Sequence, residues 1–136
     1  MKYLCLVYLD QEHWSACPDH VCASYAQKLS DSRRLIAGEP LHPVDTATTV
    51  RVRNGQVQLY DGPFAETKEL VAGFWLWQVK SKEEAIEWVK RCPNPMYSES
   101  EIEIRQVFEA ADFGDAFTPE LQEQEERIRA QVAAKS

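Results

Sequence analysis

Two segments of the chain are apolar at nearly every position, and both predict β-strands that are buried on both faces. The first covers residues 2–9 and the second covers residues 70–79 (L-V-A-G-F-W-L-W-Q-V). A strand with one wet face alternates apolar and polar residues, whereas a continuous apolar run is typical of a strand covered on two sides. On strict alternation, the second strand presents two sets of side chains on opposite faces: Val71, Trp75, Trp77 and Val79, and Leu70, Ala72, Phe74 and Leu76.

A first helix is predicted by apolar residues at helical spacing after the first strand. Its stripe consists of Val21, Tyr25 and Leu29, with Cys22 and Ala26. Pro18 suits the first helical position, and Gly38 followed by Pro40 predicts the end of the helix. Residues 39–47 are then predicted to form a loop.

Capping patterns predict two further helices. Ser81 and Glu84 form a capping-box pattern, and the helix that they begin should end before Cys92-Pro93. Thr118 is a favoured N-cap residue and Pro119 suits a first turn, so a third helix is predicted over residues 118–133.

The order of the elements predicts the fold class. Asn54-Gly55 is a strong signal for a hairpin turn between strands at 48–53 and 56–60, and a last strand is predicted at 101–108. Strand, helix, hairpin, strand, helix and strand together predict an α+β fold. It is a ferredoxin-like βαββαβ domain with an extra hairpin over residues 1–108. Residues 109–136, with seven acids and three bases, are predicted to form an acidic helical extension.

The two-sided strands also predict a homodimer. Two helices can cover only one face of a four-stranded sheet, and the other face would expose large apolar residues such as Trp75 and Trp77 or their neighbours. Because an exposed apolar patch of that size is rare, we expect two sheets to face each other about a two-fold axis in a dimeric α/β barrel. The helix at 118–133 is the alternative cover, but it is mostly charged.

Composition and charge narrow the class of protein. The 136 residues include 15 Lys+Arg and 22 Asp+Glu, with a net charge of −7 and 44% hydrophobic residues. An acidic chain lacks the basic field that releases phosphate counterions, so direct binding of nucleic acid is not expected. The apolar run at 2–9 is too short for a membrane span and lacks a cleavage site, so a cytoplasmic protein without a membrane partner is expected.

Four residues that could bind a metal lie close together in the sequence. They are His13, Cys17, His20 and Cys22. Their spacing does not match the common zinc modules, and Cys22 falls on the core stripe of the first helix. Free thiols, no metal and no cofactor are therefore predicted.

The segment at residues 61–69 (D-G-P-F-A-E-T-K-E) resembles the signature of the DGPF group of YCII-related domains. The first strand, the stretch 46–55, the strand at 70–79 with the helix after it, and the extension at 109–121 are similar to the same family. The resemblance implies a small bacterial protein with a ferredoxin-like fold that forms a dimeric α+β barrel, and for some members an association with sigma factors. Relatives are thought to use a His–Asp pair in a cleft. His20 is the nearest histidine of the first helix but does not match that pair cleanly, so the pair is not transferred.

The candidate catalytic residues are Asp61, as a general base at a strand end, and His42, as a proton shuttle in a Pro-bounded loop. They would face one cleft if the hairpin folds back. The candidate ligand-binding residues are Lys68, Glu69, Arg51 and Tyr8, with Lys68 holding an anionic group. A structural reading stays open, in which Asp61 only shapes a turn and the charges beside it form a salt-bridged rim.

Two functions of different classes follow. The first is binding of a small organic ligand in a cleft between sheet and loop, with acid–base chemistry by Asp61. The alternative is a non-catalytic accessory protein in sigma-factor-type transcription regulation, which contacts its partner through the acidic C-terminal helix. A dimer in which the motif only shapes a turn is a third reading.

Overall fold

The computed structural model describes residues 1–10, 18–62, 69–93 and 101–135. The chain divides into two compact units, Met1–Gln106 and Val107–Ser136. In chain order the elements are β1 (Lys2–Asp10), α1 (Asp19–Asp31), β2 (Leu35–Pro40), β3 (Thr48–Arg53), β4 (Gln56–Asp61), β5 (Glu69–Gln78), α2 (Lys82–Lys90), β6 (Glu101–Gln106) and α3 (Pro119–Lys135), with 3-10 turns at Val44–Thr46 and Ala110–Ala116.

The first unit is built on a four-stranded antiparallel sheet in the order β2-β5-β1-β6. Both α1 and α2 pack on one face of it, where Tyr25 and Leu29 meet Ala85 and Trp88 over the fully buried Trp77. Helices gathered on one face of an antiparallel sheet define an α+β fold, and the order of elements is that of ferredoxin-like domains. The predicted fold class is confirmed.

The second strand of this sheet was not predicted. The sequence predicts that the first helix continues to Gly38, whereas α1 ends at Asp31 and residues Leu35–Pro40 form the edge strand β2 on β5. Arg33 takes a left-handed conformation with φ of 62°, which turns the chain after the polar end of the helix. Gly38 therefore lies within β2, which pairs with β5, and the prediction that Gly38 ends the first helix is wrong.

The predicted hairpin forms a separate two-stranded sheet. Asn54 and Gly55 have φ values of 52° and 74°, as a two-residue turn with both central residues left-handed requires. On one face the hairpin carries four apolar side chains with exposed fractions of 60–70%: Val50, Val52, Val57 and Leu59.

A bulge in β5 at Ala72 changes the predicted faces of that strand. The pairing shifts between Val7 and Tyr8, so that Val71 lies opposite Tyr8. Ala72 packs with Val7 on the helix side, whereas strict alternation predicts Ala72 on the other face. Trp75 also lies on the helix side, within 5.6 Å of the Tyr25 ring centroid.

The sheet face turned away from α1 and α2 is called the open face below. Its apolar residues are Leu4 and Leu6 of β1 and Phe74 and Leu76 of β5, which pair across the two strands. All four side chains are partly exposed. Both central strands are therefore apolar on two sides, as predicted, but Trp75 and Trp77 lie under the helices and their neighbours occupy the open face.

The second unit begins with a capped 3-10 turn and ends in α3. The rings of Phe108 and Phe117 both lie close to that of Phe113, at 5.1 and 5.0 Å between centroids. The Thr118 hydroxyl accepts a hydrogen bond from the Leu121 N–H at 3.3 Å, so the predicted N-cap of the third helix is confirmed. Across the described residues, no helix combines the length and apolar content that crossing a bilayer requires.

Candidate functional site

A cavity of about 410 Å³ opens between α1 and strands β1, β2 and β5. Val7 and Leu9 of β1, Ala72 and Trp75 of β5 form an apolar floor. The helix side is lined by short side chains, among them Ala23 and Ala26, which leave the space unfilled. We call this space the α1 cavity.

Two glycines allow the strands beside the cavity to approach. A Cβ atom on Gly38 would lie 2.5 Å from the Trp75 ring, and one on Gly73 would lie 2.8 Å from the Glu39 carbonyl oxygen. Glycine within a strand commonly marks a close approach of this kind. The Trp75 ring also packs against the Tyr25 ring in an edge contact, with 5.6 Å between centroids, and this contact helps to fix its position in the floor of the α1 cavity.

The polar groups of the α1 cavity are few. Asp19 lies in the first turn of α1, exposed at the mouth, and the thiol-bearing Cys22 follows one turn later. Glu39 of the edge strand β2 also lines the cavity, and this residue is exposed. None of the described lining residues is basic. An apolar floor beside two acidic residues, Asp19 and Glu39, suits an organic ligand with an apolar body and a cationic or hydrogen-bond-donating group.

Asp61 ends β4, as predicted, and it is exposed. The turn that follows is tied back to β3, because the Gly62 N–H donates to the Ala47 carbonyl oxygen and the Thr49 hydroxyl donates to the Gly62 carbonyl oxygen, both at 2.7 Å. These bonds fix the main chain at the strand end without using the Asp61 carboxylate.

His42 lies in the exposed segment between β2 and the first 3-10 turn. Within the part of the chain that the structure describes, no hydrogen bond or ion pair joins His42 to Asp61, and neither residue lines the α1 cavity. The catalytic roles of the two residues therefore stay predictions.

The predicted ligand-binding residues lie apart from one another. The Arg51 guanidinium stacks over the Tyr60 ring at 5.3 Å on the hairpin. The Tyr8 hydroxyl donates to the Glu103 carboxylate at 3.1 Å on the open face, and this hydrogen bond raises the pKa of Tyr8. Lys68 lies outside the described residues, and Glu69 is described only as the first residue of β5.

The structure describes only two of the four residues that could bind a metal, His20 and Cys22. His13 and Cys17 lie outside the described residues. Within the described ranges, no group of three or more His, Cys, Asp or Glu residues is arranged to hold a metal ion.

The α1 cavity was not predicted from the sequence. Trp75 was predicted as a residue of a buried strand, but it was not assigned to a site. The available signal was the pair Gly38 and Gly73, since each interrupts a segment that is otherwise apolar.

Comparison with known proteins identifies a family and a relative of this chain. The family model described as the YCII-related domain matches residues 1–111. An uncharacterised protein of Rhizobium meliloti (strain 1021) is 36% identical over 80 residues, which make up 59% of this chain. The match spans 60% of the length of that relative.

Proposed function

Because the chain belongs to the YCII-related domain family, we propose that it binds a small organic ligand in a cleft of its α+β domain, and that this cleft is the α1 cavity. The observation that carries the proposal is a preformed space of about 410 Å³ with an apolar floor and a carboxylate at its mouth. Small-molecule sites commonly have volumes of roughly 300–1,000 Å³ and combine an apolar lining with a few polar groups.

The chemistry follows from the groups present. Asp19 would pair with a cationic or hydroxyl group of the ligand, while Trp75 and Val7 would contact its apolar body. A carboxylate within hydrogen-bond reach of a bound ligand can also accept a proton, so acid–base chemistry at Asp19 is compatible with the site. Asp61 and His42, the catalytic residues predicted from the sequence, do not line the α1 cavity and have no role in this proposal.

Benzylamine is a probe with the required chemistry, because it combines a planar apolar ring with an ammonium group. We expect amide chemical shifts of β1, β2 and α1 to move on titration of the labelled full chain. Asp19→Asn should weaken binding by about tenfold or more, since a charge-assisted hydrogen bond is lost. Ala23→Leu should abolish binding by filling the space.

Asp31→Asn is the matched control, because Asp31 lies at the opposite end of the same helix and is exposed. It should bind benzylamine like the wild type. Saturable binding that is equal in Asp19→Asn and wild type, or unchanged by Ala23→Leu, would locate the ligand elsewhere and refute the proposal.

The open face supports a homodimer as part of the same proposal. Leu4, Leu6, Phe74 and Leu76 form a continuous apolar row across β1 and β5, and α1 and α2 pack on the other side of the sheet. A second sheet placed over this row would bury it, in the arrangement of a dimeric α/β barrel. Tyr8 and Glu103 lie on the same face and would line the space between the sheets.

One feature of the second unit supports the alternative function, an accessory protein in sigma-factor-type regulation. Leu121, Ile128 and Val132 lie along one side of α3 with exposed fractions of 45, 50 and 63%, on a helix that is otherwise mostly charged. A thin apolar stripe of this kind suits docking of a helix into a partner groove. Removal of residues 117–136 should then abolish capture of a sigma factor, whereas unchanged capture would reject this alternative.

A further inference from the structure

A second space of about 500 Å³ lies on another side of α1, between that helix and the end of α2. Its α1 wall is formed by His20, Ser24 and Lys28, whereas the α1 cavity is lined by Asp19, Cys22, Ala23 and Ala26. The opposite wall is formed by Lys90 and Arg91. We call this space the basic groove.

The charge of the basic groove opposes that of the chain. Four of its lining residues are bases, His20, Lys28, Lys90 and Arg91, and none is an acid, although the net charge of the chain is −7. Lys90 pairs with Glu87 at 3.0 Å, on the exposed surface. Within the described residues, no carboxylate pairs with Lys28. The groove is therefore a local concentration of positive charge on an acidic protein.

Helix dipoles explain only part of this pattern. Basic residues in the last turn of a helix are favoured by its negative end, and this accounts for Lys28 in α1 and Lys90 in α2. His20 lies in the first turn of α1, where a positive charge is not favoured by the dipole. At 1.5 Å per residue, His20 and Lys28 span roughly 12 Å of the groove wall.

The position of Arg91 is fixed by the aromatic base of the groove. Its guanidinium carbon lies 4.1 Å from the centroid of the Trp88 ring, and its Nε donates to the Glu87 carbonyl oxygen at 3.3 Å. The Trp88 ring is in turn held by Tyr25, whose ring lies at 6.3 Å in an edge contact. A guanidinium presents its N–H donors in a planar fork that matches a carboxylate, and the contact with Trp88 holds this fork beside the groove.

We propose that the basic groove binds a small organic anion, with a carboxylate held between Arg91 and Lys28 and an apolar body resting on Val21 and Pro93. The ligand class follows from two observations together: the excess of basic groups on both walls and the apolar and aromatic base between them. The groove does not share its charged residues with the α1 cavity, so this site stands independently of the function proposed above.

The test is an NMR titration of the ¹⁵N-labelled full chain with sodium benzoate, and with benzamide as the uncharged probe of the same shape. Benzoate should shift amide signals in α1 from His20 to Lys28 and in residues 88–92, with saturation, and benzamide should bind at least about tenfold more weakly. Arg91→Gln and Lys28→Gln should each weaken benzoate binding by roughly tenfold.

Lys82→Gln is the matched control, because Lys82 lies at the start of α2 and does not line the groove. It should bind benzoate like the wild type. Lys28 is exposed, so Lys28→Gln tests the site even if Arg91→Gln loses its fold. The proposal is overturned if benzoate causes no saturable shifts, if benzamide binds as tightly, or if Lys28→Gln binds benzoate like the wild type. Each of these results leaves the benzylamine experiment on the α1 cavity unaffected.

Discussion

The Tyr25 hydroxyl donates a hydrogen bond to the main-chain carbonyl oxygen of Trp88 at 2.5 Å. This bond joins the middle of α1 to the last turn of α2 across the buried core, and it spans 63 residues of sequence. Burial raises the pKa of the Tyr25 phenol, so the group is a protonated donor at neutral pH. The two helices that enclose the basic groove are therefore held by a specific bond as well as by packing.

Removal of this hydroxyl should destabilise the protein. Tyr25→Phe keeps the ring contacts with Trp75 and Trp88 but leaves one lone pair of the Trp88 carbonyl oxygen unsatisfied, while the Arg91 N–H still donates to it. We expect a loss of about 1 kcal/mol in the free energy of unfolding, measured by urea denaturation. The control is Tyr60→Phe, whose hydroxyl bonds to Gln58 on the exposed hairpin, and it should change stability by less than about 0.5 kcal/mol. Equal effects of the two variants would contradict the assigned role.

Gly38→Ala should also be destabilising, because its new Cβ would lie 2.5 Å from the Trp75 ring, which also packs against Tyr25. Overpacking of this kind costs about 1–3 kcal/mol. Trp75→Leu tests whether this clash causes the loss of stability, since removal of the ring should remove the clash. In a double-mutant cycle, Gly38→Ala should cost much less in the Trp75→Leu background than in the wild type. Strictly additive effects would show that Gly38 is required for another reason.

The ionisation of Glu84 should contribute to the pH dependence of the free energy of unfolding. The Lys80 N–H donates to this carboxylate at 2.7 Å, Arg34 pairs with it, and together they hold its pKa below the ordinary value of 4.5. A carboxylate whose pKa is lower in the folded state stabilises that state above its unfolded pKa, and the contribution is lost as the pH falls through the folded value.

Glu84→Gln should therefore be less stable than the wild type at neutral pH, and the difference should shrink as the pH is lowered below about 4.5. Urea unfolding at a series of pH values measures it. Glu83→Gln is the neighbouring control, because the Glu83 carboxylate makes no hydrogen bond or ion pair within the described ranges. A difference between Glu84→Gln and wild type that does not change with pH would contradict the expectation.

The sequence predicted those elements whose structure depends on contacts between residues that are close in the chain. Ser81 accepts the Glu84 N–H at 3.2 Å, and Asn54-Gly55 forms the hairpin turn, because capping and turn chemistry act within a few residues. The strands β1 and β5 could be predicted because a strand that is buried on both faces is apolar at nearly every position. These local and periodic signals gave the fold class.

The missed features depend on contacts between distant residues. Strand β2 exists because β5 offers it a free edge, and its segment contains Gly38 and Pro40, which locally favour a turn. The bulge that places Ala72 on the helix side depends on the pairing of β1 with β5. The α1 cavity combines β1, β2, β5 and α1, so no sequence window contained it.

The open face provides the last prediction, on the assembly of the chain. If the row of Leu4, Leu6, Phe74 and Leu76 is buried by a second copy, then the wild type should have twice the mass of 15.6 kDa at micromolar concentration in size-exclusion chromatography with light scattering. Leu6→Glu should yield a folded monomer, because a carboxylate at the centre of the row would be buried without a partner. Ser24→Glu, on the outer side of α1, should remain dimeric, and thermal denaturation would verify that both variants fold. A wild type that has the mass of one chain would show that the open face does not require a second copy.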